Sequence, residues 1–136
     1  MKPVIQEEAT GCAIASAASL SGMSYVQVKQ IANDMGIYVT DASLWSETKS
    51  IRNLLTRLGI QTTTNEVPFV NWQSLPDCAL LAIKWHLEQE KPYWHWVVFV
   101  REDGQAYVLD SKKSLKKNIR KDFGRIKPRW FIKVIR

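Results

Sequence analysis

Two hydrophobic grammars divide this chain of 136 residues. Up to Gly59, apolar residues recur at helical spacing; beyond it they cluster in short runs of the kind that build strands. Thr10-Gly11 precedes an Ala/Ser/Ile/Leu-rich stretch ending at Ser21-Gly22, which predicts a helix of about 10 residues between an N-cap and a C′ glycine. Ser24 caps a second expected helix, with Val26, Val28, Ile31 and Met35 as its apolar side and Gly36 as its end. Ser46-Glu47 opens a third, in which Ile51, Leu54, Leu55 and Leu58 recur before Gly59. The threonine-rich run from Ile60 to Val67 reads as a strand closed by Pro68. Cys78 to Trp85 is a continuous apolar run and a buried strand. A polar turn, Glu88 to Pro92, leads to a strand from about Trp94 to Val100. Glu102-Asp103-Gly104 marks a hairpin turn, Gln105 to Asp110 its return strand, and Trp130 to Ile135 a last strand. Helices first and an antiparallel meander after is the α+β order, and no composition shift divides residues 1–136 into more than one domain.

Composition changes this picture little. Hydrophobic residues at 46% and charged residues at 24% are the balance of an ordinary globular protein, with enough length for one core. No apolar run approaches the roughly 20 residues of a membrane helix, so no transmembrane segment is expected. The N-terminus lacks the basic-then-apolar pattern of a Sec-type signal, and a reducing cytoplasm is the expected compartment. Cys12 and Cys78 are then expected as free thiols.

Charge is uneven. Residues 1–100 carry 7 Lys/Arg against 9 Asp/Glu, a net of −2, whereas residues 101–136 carry 12 against 4, a net of +8. Lys112, Lys113, Lys116, Lys117, Arg120 and Lys121 concentrate this in the segment Lys112–Lys121. Such a segment is a candidate dock for an acidic partner, and its plainer reading is a solvated face. No aromatics are interleaved and no nucleic-acid-binding motif accompanies it, so nucleic acid is not expected as a partner.

The candidate chemistry lies in four residues. Cys12 falls in the first turn of its helix, where unpaired N–H groups and the positive end of the dipole favour a thiolate. His95 begins a strand and shares a face with Val97 and Phe99. If residues 101–104 form the hairpin loop, Asp110 lies directly across from His95, placed to orient its ring. Gln6, in the loop before the helix, has a side-chain amide to join the Cys12 N–H as an oxyanion donor. Each residue alone has a bland reading: a small buried thiol, a structural histidine, a strand-end acid, a solvated glutamine. Their order along the chain favours a cysteine nucleophile with a histidine base.

At these residues the chain resembles the papain-like cysteine peptidases, and most closely their small C39-like branch, the bacteriocin-processing type. The resemblance rests on Gln6, on Cys12 six positions later at the head of a helix, on His95-Trp96-Val97-Val98, and on Asp110 fifteen residues beyond His95. It spans the chain from near its start to Asp110. It implies a papain-like fold in which an N-terminal helical subdomain carrying Cys12 packs on an antiparallel sheet carrying His95, with the cleft between. It further implies amide cleavage in a peptide or protein substrate by a Cys-His-Asp mechanism, with no cofactor. Relatives of the same geometry include glutamine deamidases and non-catalytic binding modules, which are the alternative functions. The family commonly has an acidic residue before the cysteine and a glycine after it, where this chain has Gly11 and Ala13.

The remaining features read plainly. Most of the six tryptophans are expected in the core, Trp94 and Trp96 on the opposite face of their strand from His95, with Trp45 and Trp72 as candidates to line the cleft. Cys78 begins a buried strand and is expected to be structural. His86 with Cys12 and Cys78 lacks the ligand spacing of a zinc site, and no metal is expected.

Overall fold

A computed structural model describes residues 1–135. Among them are four α-helices and seven strands, all paired antiparallel, an α+β architecture. The helices are α1 (Cys12–Ser21), α2 (Tyr25–Asp34), α3 (Ser43–Ser46) and α4 (Lys49–Arg57). The strands are β1 (Gln61–Thr62), β2 (Val67–Pro68), β3 (Cys78–Glu88), β4 (Lys91–Glu102), β5 (Gln105–Leu109), β6 (Ile119–Arg120) and β7 (Trp130–Ile135). Their order across the sheet is β1-β7-β3-β4-β5-β6, with β2 also on β7. No helix among the described residues is long and apolar enough to cross a membrane.

α1 is buried on every side from Cys12 to Ser19, which explains why it is built of Ala and Ser. Small side chains let α2, α4 and the sheet close around it. α2 starts with a full capping box, Ser24 Oγ accepting from the Gln27 N–H while Gln27 Oε1 accepts from the Ser24 N–H. Its buried stripe is Tyr25, Val28 and Ala32, and Val26, expected on that stripe, is exposed. α4 buries Ile51, Leu54 and Leu55 as their spacing predicts, but it begins at Lys49, because Ser43–Ser46 forms the separate short turn α3.

β3 and β4 lack strict apolar–polar alternation because both sheet faces are covered. Trp94, Trp96, Val98 and Val100 face the helices, while Val97 and Phe99 face a second core with Leu75, Ile126 and Phe131. The strand expected over Ile60–Val67 is broken into β1 and β2. Thr64, Asn65 and Glu66 between them are exposed, so nothing apolar holds that stretch to the sheet.

The β4–β5 hairpin decides where the site falls. Its loop is Asp103-Gly104 alone, at φ 52° and 75°, the left-handed pair of a tight two-residue turn, rather than residues 101–104. Arg101 pairs with Ala106 and Val98 with Leu109. Asp110 is therefore offset by two positions from the place directly opposite His95. A two-residue offset preserves the face, so the two side chains still point the same way.

Candidate active site

Cys12 opens α1, with Gly11 at the N-cap and no side-chain cap in the way. Gly11 has an ordinary φ of −89°, so its backbone does not require glycine. Space does: a Cβ there would lie 2.1 Å from Tyr25 Oη and 3.2 Å from Gln6 Cβ. That crowding accounts for the absence of a side chain before Cys12. Cys12 is 5% exposed. Beyond the last β4–β5 pair, where β5 no longer covers that edge of β4, the Trp96 N–H points at Cys12 Sγ at 3.5 Å. The indole of Trp96 donates to Leu44 O at 2.6 Å and packs edge-on against Trp94 and Trp130, so this contact is anchored in the core.

His95 Nε2 and Asp110 Oδ1 are 2.8 Å apart, with Asp110 1% exposed. Asp110 also accepts from the Lys112 N–H at 3.1 Å and from Arg120 Nη1 at 3.0 Å, while Asn118 Nδ2 donates to its main-chain carbonyl. Burial alone would push the His95 ring down. It is outweighed by hydrogen bonds to Asp110 and Cys12 and by their charges, which raise it to about 9. Burial likewise opposes the Asp110 charge. Hydrogen bonds from His95, the Lys112 backbone and Arg120, with the His95 charge, nevertheless hold the carboxyl at about 2. Since Nε2 is held by Asp110, Nδ1 is the nitrogen that faces the thiol.

Gln6 is buried beside these residues, and its amide is engaged at both ends. Nε2 donates to Glu8 O at 3.1 Å and Ala9 O at 2.9 Å, and Oε1 accepts from Ser111 Oγ at 2.7 Å. Two carbonyls facing one end identify it as the nitrogen. The Gln6 N–H donates to Ser111 O, which ties the loop before Cys12 to the strand end after Asp110. Glu8, in the same loop, takes the Tyr25 hydroxyl at 2.9 Å and Lys29 Nζ at 3.1 Å from α2. Gln6 and His95 border one cavity of about 390 Å³.

Arg120 is the residue hidden in the sequence. Read there as one of six solvated cations, it has a side chain only 16% exposed, clamped between Asp110 and Asp122. The one available signal is Asp122 two residues on, inside an otherwise basic run. Lys112, Lys113, Lys116, Lys117 and Lys121 are exposed. Neither Trp45 nor Trp72 borders the His95 cavity: Trp45 packs against the first core, and Trp72 against Phe69, Phe99 and Phe123 in the second. Cys78 is buried, and Cys12 and Cys78 are not joined in a disulfide. His86 is exposed, beside Glu88 Oε1 and Lys84 O. Among the described residues no three His, Cys, Asp or Glu side chains are grouped to hold a metal ion. Compared with models of protein families, with curated proteins and with solved structures, the chain matches none.

Proposed function

We propose that this chain is a papain-like cysteine hydrolase that cleaves an amide bond in a peptide or protein. The observation that carries this is the His95–Asp110 pair, Nε2 to Oδ1 at 2.8 Å with the carboxylate buried, standing beside Cys12 at a helix start, whose sulfur helps to raise the ring. With the ring held near 9, His95 is an imidazolium at neutral pH, the cation beside the attacking sulfur. The thiolate attacks the carbonyl carbon, forming the C–S bond and an oxyanion. The Cys12 N–H, which has no acceptor within its helix, donates to that oxyanion. Gln6 Nε2 is the second donor, exchanging one of its bonds to Glu8 O or Ala9 O for the oxyanion. His95 gives its proton to the departing amine as the C–N bond breaks. Water then attacks the thioester carbon with His95 taking its proton, the C–S bond breaks, the carboxylic acid product leaves, and the Cys12 sulfur and the protonated His95 return to their starting state.

Iodoacetamide should label Cys12 well before Cys78, and Cys12→Ala should abolish turnover of a peptide library followed by mass spectrometry. Fragments mean proteolysis, whereas ammonia release from an intact chain means side-chain deamidation by the same residues. Equal and slow labelling of the two thiols would overturn the reading.

A further inference from the structure

The cavity beside His95 has two unlike walls. On one side stand Glu8, already neutralised by Lys29, and the exposed Glu7, the one acid of the lining that no cation pairs among the described residues. On the other stand Lys84, Lys112 and Lys113, and among the described residues none of these three forms an ion pair. Lys84 reaches this wall through a bulge. The β3–β4 register shifts between Ile83 and His86, and Lys84 sits at φ 53°, a left-handed conformation unfavourable for lysine. Burial and the neighbouring Lys112 ammonium push the Lys84 amine down against the opposing charge of Asp110, a carboxylate already held by His95 and Arg120. Lys84 also walls a second groove of about 520 Å³, which Arg125 and Lys127 border and no carboxylate residue does.

The cavity touches His95, which must protonate the leaving amine, so it accommodates the half of the substrate beyond the scissile bond. We propose that this half carries a carboxylate, held by Lys84 and Lys112 with Lys113 beside them, and that longer acidic segments continue over Lys84 toward Arg125 and Lys127. The inference rests on the hydrolase reading and adds a substrate class to it. The carboxylate has two possible sources, an acidic side chain or the C-terminus of the substrate.

Protection of Cys12 from iodoacetamide tests this without requiring turnover. Three capped hexapeptides are compared: one with a central Glu and an amidated end, its Gln counterpart, and the Gln peptide with a free carboxyl terminus. At least one carboxylate peptide should half-protect at about tenfold lower concentration than the neutral one, the size of one charge-assisted contact. Which of the two ranks first identifies the source. Lys84→Gln with Lys112→Gln should erase the difference, and Lys112→Glu alone should reverse it. Each comparison is internal to one variant, so a general loss of stability cancels. Equal protection by all three peptides, protection by none, or a preference that survives the double substitution overturns the inference and leaves the hydrolase reading standing. A Cys12 that labels no faster than Cys78 removes that reading, and the inference with it.

Discussion

Replacing Asp110 by Asn removes one charge from the relay and almost no volume, so its effect isolates electrostatics. His95 lies at about 9 against an ordinary 6.5, although burial works in the other direction. At 1.36 kcal/mol per unit, the folded protein favours the imidazolium by about 3 kcal/mol, and Asp110 and Cys12 together supply more than that net amount. Without the carboxylate, burial gains ground, and the His95 midpoint should fall by about two units, into the range of an ordinary or depressed imidazole. The chain has only two histidines, so ring NMR resolves both, with the exposed His86 as an internal reference that should not move. Turnover should fall by a factor on the order of 10² to 10⁴, the range associated with a positioned acid–base. A His95 that still titrates near 9 in Asp110→Asn would refute the argument, because the carboxylate would then not be what holds the proton.

The same shifts make stability depend on pH. His95 binds its proton more tightly folded than unfolded, so its contribution is complete below about 6.5 and lost as pH rises through about 9. Asp110 is depressed, so its contribution is present above about 3.8 and lost as pH falls through about 2. Urea denaturation across pH should therefore show both contributions between about 4 and 6.5, with the alkaline loss reduced in Asp110→Asn. Arg120→Gln should lower stability by about 2 kcal/mol by removing one charged hydrogen-bond partner of a buried carboxylate, while the His95 midpoint holds or rises, since Asp110 then has one cation fewer to satisfy. A drop like that of Asp110→Asn would mean Arg120 supports His95 through position alone. Gly11→Ala drives a methyl into Tyr25 Oη and should cost about 1 to 3 kcal/mol of overpacking, read as a lowered thermal midpoint. An unchanged midpoint would mean the loop before Cys12 yields freely.

The helical half was legible because its signals are local. Ser24, Gly22 and Gly59 punctuate the chain where the structure does, and Ile51, Leu54 and Leu55 are buried as their spacing implies. α3 is four residues long and leaves no periodicity to read. The Asp110 pairing rested on a four-residue loop that does not exist. It survived because Arg101 and Glu102, polar enough to look like loop, are strand residues, and moving two positions returns every side chain to its own face. Lys84 and Arg120 were invisible for a different reason. A bulge at a lysine and an ion pair closed by β6 depend on neighbours distant in sequence; Lys84 is a lone cation in an apolar run, and Arg120 does not differ in type from the solvated cations around it.

β7 occupies an inner position in the sheet, between β3 and the short pair β1 and β2, though among the described strands it comes last in chain order. Until residues 130–135 emerge from the ribosome, the free edge of β3 has no partner and the core beneath α1 lacks Ile132 and Val134. Cys12 is made well before β7, so the platform that seats it against Trp96 and His95 is completed later than the thiol itself. On the proposed hydrolase reading, activation of the sulfur is timed by the docking of β7 and not by the synthesis of α1.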